Sequence, residues 1–339
     1  MENSFYIIIF FLNFFLFVFM KPISRFYNLY DYPDFKRKLH KAPVPLLGGL
    51  FLQINLFVIF FLNFFLEKLL DENFLLFSKS LALFIFTFLF YLLGFVDDKF
   101  RVRANIKLLL MIFLLILFLI FDHSFLLNNL IFTFYNKEIS LGGYSYFVTI
   151  LCFLLFINAF NMLDGINGQA VTYIIFIVFV LLTKNILVSV CFALLIFLFF
   201  FLLINIKNKS YLGDGGSLAL GFFISSLFIK FYNLQHYNLL YADEIFLLMC
   251  IPGYDLLRLA ILRISKKKHP FTADNNHIHH LIINKIGFVK TYILVQLILS
   301  FPYFLFLFSK NFYLSFITSL ILYSFIVYFF SFCKKKLYE

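Results

Sequence analysis

The chain reads as a succession of long apolar runs separated by short polar segments. Runs of the 17 to 25 residues needed to cross a bilayer fall near 5–22, 47–66, 80–96, 106–122, 144–160, 169–184, 186–205, 215–232, 244–262, 291–308 and 313–332. The pattern predicts an all-α, polytopic membrane helix bundle of about 10 to 11 transmembrane helices. The narrowest division is the one between the sixth run and the seventh. The first run has no basic flank before it and no small-residue cleavage site before Lys21, so it reads as a retained span rather than a signal peptide. Residues 123–143, between two runs, read as a short hairpin without evident chemistry.

Composition strengthens this reading. Hydrophobic residues make up 63% of the 339 positions and charged ones only 13%, against about half and about a quarter in soluble domains. No water-soluble fold could hide that much apolar surface. Trp is absent, so the 20 tyrosines must supply any aromatic belt at the interfaces. The four cysteines, Cys152, Cys191, Cys250 and Cys333, are isolated and form no CxxC pair, which argues against a zinc ribbon or a disulfide framework.

A formal charge of +11 invites a nucleic-acid reading, but no compact basic domain exists to carry it. The basic residues instead follow alternate loops. One set holds Lys21, Arg25 and Lys36 to Lys38, then Lys99, Arg101 and Arg103, then Lys207 and Lys209. It continues through Arg263, Lys266 to Lys268, Lys285 and Lys290 to Lys334–Lys336. By the positive-inside rule these loops are cytoplasmic, with the N-terminus outside and the C-terminus inside. The chain is thus expected to form a single membrane-embedded domain, 1–339, with cytoplasmic loops near 23–47, 97–107, 158–168, 206–217 and 263–290.

Those same loops hold most of the Asp, His and Gly clusters, and polar convergence at one membrane face suggests a shared site. Five segments stand out. Asp97-Asp98 ends a span, and adjacent carboxylates raise each other's pKa unless a cation is near. Mg²⁺ would supply one, although solvated acids balanced by Lys99, Arg101 and Arg103 fit equally well. Asn158, Asn161 and Asp164 recur at one-turn spacing before Gly165 and Gly168, and suit hydrogen bonding to a base or sugar. A C-cap and turn is the plain alternative.

Gly213-Asp214-Gly215-Gly216-Ser217 opens a helix in the manner of an anion cradle, with Asp214 either at a metal or serving as an N-cap. His277, His279 and His280 follow a basic patch. Phosphate contact or positioning suits them better than zinc, which lacks a Cys or Glu at ligand spacing. Finally, Asp31-Tyr32-Pro33 leads through Arg37, Lys38 and His40 to Gly48-Gly49, a basic, proline-bracketed loop suited either to a diphosphate or to anchoring at the membrane.

In this order, from about residue 31 to 287, the five segments resemble the polyprenyl-phosphate N-acetylhexosamine-1-phosphate transferases, glycosyltransferase family 4. The His-Ile-His-His spelling is similar to the undecaprenyl-phosphate N-acetylglucosaminyl-1-phosphate transferase branch. The resemblance implies Mg²⁺ (with Mn²⁺ as a substitute) at Asp97, Asp98 and Asp214, and catalytic roles for Asp97, Asp98, His277, His279 and His280. It implies substrate binding by Asn158, Asn161, Asp164, Lys107, Arg37, Lys38 and His40. Asn167 and Gln169 depart from the family's usual Asp and Leu, which removes a charge at 167.

The expected reaction moves a sugar-1-phosphate from a UDP-N-acetylhexosamine to polyprenyl phosphate, releasing UMP, as the first membrane step of an envelope polysaccharide such as O-antigen lipopolysaccharide. The expected place is a bacterial inner membrane, with the site on the cytoplasmic face; a homodimer is allowed and nucleic acid is not expected. The alternatives are a UDP-muramoyl-pentapeptide phosphotransferase and, from another class, a secondary transporter. A transporter would carry ionisable residues mid-span, where Arg258 is the main exception here.

Overall fold

Each apolar run becomes helix, because a backbone N–H or C=O in lipid has no water to bond and only a helix pairs all of them within one segment. The structure, a computed structural model, describes residues 2–33, 42–66, 77–234, 240–267 and 276–332. The helices in order are α1 (Glu2–Val18), α2 (Met20–Tyr27), α3 (Gly48–Leu66), α4 (Phe77–Phe100) and α5 (Ala104–Phe121). Next come α6 (Ser145–Leu163), α7 (Gln169–Thr183), α8 (Val188–Asn205), α9 (Gly213–Asn233) and α10 (Ala242–Ser265). A short α11 (Ile278–Ile286) precedes α12 (Phe288–Ser309) and α13 (Phe312–Phe332). Among the described residues, 8 helices are long and apolar enough to cross a membrane, and α1 with α2 makes 9 if that bent pair is one span. The chain is a polytopic helical membrane protein.

The run expected at 5–22 is not one straight helix. It breaks after Val18, and α2 leaves at 70° to α1. Pro22 explains the break: it has no N–H for the Val18 carbonyl, and its ring would clash with that carbonyl in a continuous helix. In the first turn of a new helix the missing donor costs nothing. The close sixth and seventh runs are separate helices, α7 and α8, joined by a tight turn in which Asn185 and Leu187 adopt positive φ. The segment 123–143 contains the expected hairpin, β3 (Asn129–Phe132) paired antiparallel with β4 (Tyr135–Ser140).

Helix α9 is the axis of the molecule, buried along its whole apolar window and flanked by α3, α4 and α6. Phe222 on α9 stacks on Phe90 of α4 at 4.5 Å between ring centroids, with Phe118 and Phe153 packed around it. Small residues let α4 and α9 approach: a Cβ on Gly94 would lie 2.3 Å from the Asp214 carbonyl oxygen. Within the apolar region Asn13 of α1 and Asn55 of α3 exchange amide hydrogen bonds of 2.7 and 3.1 Å.

One end of the bundle is assembled by backbone pairing. The strands β1 (Tyr30–Asp31) and β2 (Val44–Pro45) pair antiparallel. Pro45 O accepts from Tyr211 N at 3.0 Å, and the first amides of α3, on Gly48 and Gly49, donate to the carbonyls of Tyr211 and Leu212. Ser210 Oγ accepts from Leu47 N at 3.2 Å. The donors left free at the start of α3 are thereby met by the segment that leads into α9. That pairing fixes the α9 N-terminus beside the ends of α4 and α6.

Candidate active site

Three helix ends meet at this face: the C-termini of α4 and α6 and the N-terminus of α9. They border an open cavity of about 900 Å³. Lys107, near the start of α5, projects into it and links two elements. Its ammonium lies 2.7 Å from Asp97 Oδ2 on α4 and 2.9 Å from Asp214 Oδ2 on α9. Asp97 Oδ1 accepts from Val102 N at 2.8 Å and so secures the turn that brings Lys107 round. On the other side, Asn161 Nδ2 donates to Asp214 Oδ1 at 2.8 Å and to Ser217 Oγ at 2.6 Å. Asp214 is therefore oriented from both flanks.

Asp98 behaves differently from its neighbour. Its two oxygens accept the N–H groups of Asp214 and Gly215, each at 3.0 Å. The glycine-rich start of α9, expected to cradle a phosphate or to be capped by Asp214, is instead capped by a carboxylate from another helix. A negative charge is favourable at a helix N-terminus, and these amides have no partner within their own helix. Gly213 is required by the turn: its φ is +72°, and a Cβ there would lie 2.8 Å from Asp98 Oδ2. Asp98 thus faces the α9 amides.

Asn158, Asn161 and Asp164 line the cavity together, as their helical spacing predicts. Burial and the facing Asp214 and Asp98 carboxylates push the Asp164 carboxyl well above its ordinary range. Asn167, by contrast, turns away to donate to Asn208 Oδ1, which also accepts from Tyr211 OH at 3.0 Å. Asn205 Oδ1 accepts from Gly168 N in the same turn. A carboxylate at 167 could not make the donation to Asn208, so the amide fits the local network of this chain.

The histidines arrive on α11. His277 is its N-cap, and all three histidines border the cavity. The rings of His277 and His279 lie parallel, 3° apart in plane with centroids at 5.4 Å, and His280 is 4.4 Å from His279. His279 is buried, and among the described residues neither ring nitrogen has a hydrogen-bond partner. Burial, with His280 and His277 beside it, holds this imidazole well below its ordinary value of 6.5. It rests on Gly165, where a Cβ would stand 2.1 Å from His279 Nε2.

Arg37, Lys38 and His40 lie outside the described residues, as does the 268–275 stretch. Two cavity features were not among the expected site residues. Tyr30 and Asp31 form a rim through β1, and Arg263, buried on α10, contributes a cation. Asp31 begins the segment read as suited either to a diphosphate or to anchoring, Arg263 lies in the basic cytoplasmic set, and their convergence depends on non-local packing.

Among the described residues no three of His, Cys, Asp or Glu converge as a ready metal cage. Asp97 and Asp214 nevertheless present one oxygen each to a shared cation beside an open cavity. Mg²⁺ commonly takes one or two carboxylates and fills its remaining positions with phosphate oxygens and water. The pair fits that mode.

Residues 80–232, which include the α4, α6 and α9 ends at the cavity, match the family model for Glycosyl transferase family 4. Over this stretch the chain is similar to glycosyl transferase family 4. Similarity to individual proteins extends beyond that segment. The chain is 26% identical over 301 residues to the undecaprenyl-phosphate alpha-N-acetylglucosaminyl 1-phosphate transferase of Escherichia coli (strain K12), covering 85% of this chain and 78% of that protein. It is 27% identical over 311 residues to the protein of the same name from Thermotoga maritima, covering 90% of each. The Yersinia pestis protein of that name is 27% identical over 296 residues.

Proposed function

We propose that this chain transfers a sugar-1-phosphate from a UDP-N-acetylhexosamine, with N-acetylglucosamine the first candidate, to polyprenyl phosphate in a bacterial inner membrane, releasing UMP. The observation that carries the reading is the Asp97–Lys107–Asp214–Asn161 chain of contacts at the mouth of a cavity large enough for a nucleotide sugar. The names of the relatives support undecaprenyl phosphate as the acceptor lipid. The crowding of basic residues into the loops around the cavity supports a cytoplasmic site.

In this reaction an oxygen of the lipid phosphate attacks the β-phosphorus of the donor, the bond to the α-phosphate oxygen breaks, and UMP departs. A lipid phosphate is already anionic near neutral pH, so direct displacement needs no strong base. Lys107 and Arg263 bring positive charge to the diphosphate. Asp97 and Asp214 are the side chains that would hold Mg²⁺, which when bound neutralises phosphate charge and aids departure of the leaving group. Asp98 keeps α9 in place and so keeps Asp214 aimed. Asn158, Asn161 and Asp164 offer hydrogen bonds to the uridine or sugar, and the histidines close the far wall.

The test is UMP release by purified protein given polyprenyl phosphate, Mg²⁺ and a panel of UDP-N-acetylhexosamines, with Asp214→Asn alongside. Lipid-dependent release that the variant loses supports the reading, and the best donor names the sugar. Release only from UDP-muramoyl-pentapeptide would move the protein to peptidoglycan synthesis. No release from any donor by folded protein would sink the reading.

A further inference from the structure

Helix α10 carries a buried carboxylate that the reaction outlined above does not use. Asp255 follows Pro252 and Gly253 within an apolar helix, and 6% of its surface is exposed. Such a group is costly in a membrane protein unless it is fully engaged. It is engaged on all sides. Asp255 Oδ1 accepts from Arg258 Nη2 at 2.8 Å, from Tyr323 OH on α13 at 2.9 Å and from Ile278 N at 3.3 Å. Asp255 Oδ2 receives His277 Nδ1 at 2.9 Å. Arg258 is held in turn, with Nε donating to Tyr323 OH at 2.7 Å and Nη2 donating to Asn276 O at 2.6 Å.

The arrangement does two things at once. It caps α11, because Ile278 N is the first amide of that helix and an anion is favoured there. It also dictates the state of the His277 ring. An ionised carboxylate only accepts, so the nitrogen facing it must carry the hydrogen. In the neutral ring that leaves Nε2 as the acceptor, and Nε2 has no hydrogen bond among the described residues while His277 borders the cavity.

We infer that Asp255 is a positioning residue: through its bond to Nδ1 it fixes the tautomer and the plane of His277, so that Nε2 is the nitrogen offered to the donor substrate. Arg258 and Tyr323 lock the carboxylate, and the parallel His279 ring limits rotation from the other side. The ionisable groups that face His277 are therefore Asp255 and Arg258 from α10, Tyr323 from α13, and His279 and His280 from its own helix.

The experiment has a spectroscopic arm and a kinetic arm, of which only the second rests on the transferase reading. In ¹⁵N-histidine-labelled full-length protein in detergent, His277 is identified by the signal that His277→Gln removes. The neutral ring is expected to carry its proton on Nδ1. Asp255→Asn, which places a hydrogen-bond donor against that nitrogen, is expected to move the proton to Nε2. An unchanged spectrum in Asp255→Asn overturns the proposal.

In the kinetic arm, Asp255→Asn is expected to lower kcat/KM for the UDP-sugar by about 10- to 100-fold, the usual effect of removing a partner behind a working side chain. Asp255→Glu, which keeps the acceptor, should recover part of that loss. Adding Asp255→Asn to His277→Gln should cost little more than His277→Gln alone, because the first acts through the second. Full additivity of the two losses overturns the proposal. If Asp255→Asn does not fold, Tyr323→Phe removes one hold on the carboxylate and should shift both readouts in the same direction by less. Wild-type protein that turns over no donor would defeat the transferase reading, while the spectra would still decide the pairing.

Discussion

Lys107 Nζ lies between Asp97 Oδ2 and Asp214 Oδ2, at 2.7 and 2.9 Å, so one ammonium holds together two helices that are more than a hundred residues apart in sequence. The three side chains are partly screened, at 15%, 12% and 35% exposure, which keeps the pair's worth below that of a fully buried one. Breaking a buried pair from one side costs about 3–5 kcal/mol. Lys107→Met should therefore destabilise the protein by roughly 2 kcal/mol in metal-free buffer. Added Mg²⁺ should restore part of the loss by taking the place of the cation. Melting curves with EDTA and with Mg²⁺ check this; equal loss in both would argue against Asp97 and Asp214 as a cation site.

Gly165 abuts His279 so closely that any side chain must displace the ring. His279 is buried, so moving it aside in Gly165→Ala should also cost about 1–3 kcal/mol of stability. A displacement of about 1 Å near reacting groups can cost on the order of 100-fold in rate, and a loss of that order in UMP release is expected. Unchanged turnover would mean that the position of His279 does not matter to the reaction.

His279 links pH to stability. Its folded pKa is held well below 6.5, so the fold favours the neutral ring while the unfolded chain takes up a proton below about 6.5. The contribution is fully present above 6.5 and is lost as pH falls from there toward the folded value. The slope is up to about 1.4 kcal/mol per pH unit for one proton. Thermal or denaturant stability measured from pH 7.5 down to 5 should fall accordingly, and His279→Gln should flatten the curve. An identical slope in the variant would assign the titration to another group.

The reciprocal amides of Asn13 and Asn55 hold α1 against α3 inside the apolar region. Asn55→Leu alone leaves the Asn13 amide short of a partner, though Ile9 O still accepts from it. Bonds of this kind within membranes average about 0.6 kcal/mol and reach about 1.7. The single variant is expected near the upper figure, and the double variant with Asn13→Leu nearer to wild type. Detergent-unfolding midpoints of the three proteins test it.

The chain's own pattern determined that it is a bundle of helices in lipid, because twenty apolar residues in a row leave the backbone no other way to satisfy its bonds. It also marked Asp97, Asn161, Asp164, Asp214 and the histidines of α11, since polar groups at the ends of apolar spans are costly without a purpose. Three things it could not decide. The two members of the Asp97-Asp98 pair differ in role because one meets Lys107, just across the α4–α5 turn, and the other meets the amides of α9, which come from a remote segment. The bend between α1 and α2 needed the clash at Pro22 to be weighed against continuous hydrophobicity. Asp255 gains its role only where α11 and α13 pack against it. Local pattern is written in neighbouring residues, whereas the role of a carboxylate is set by which donor reaches it first, and that is a property of the packed molecule.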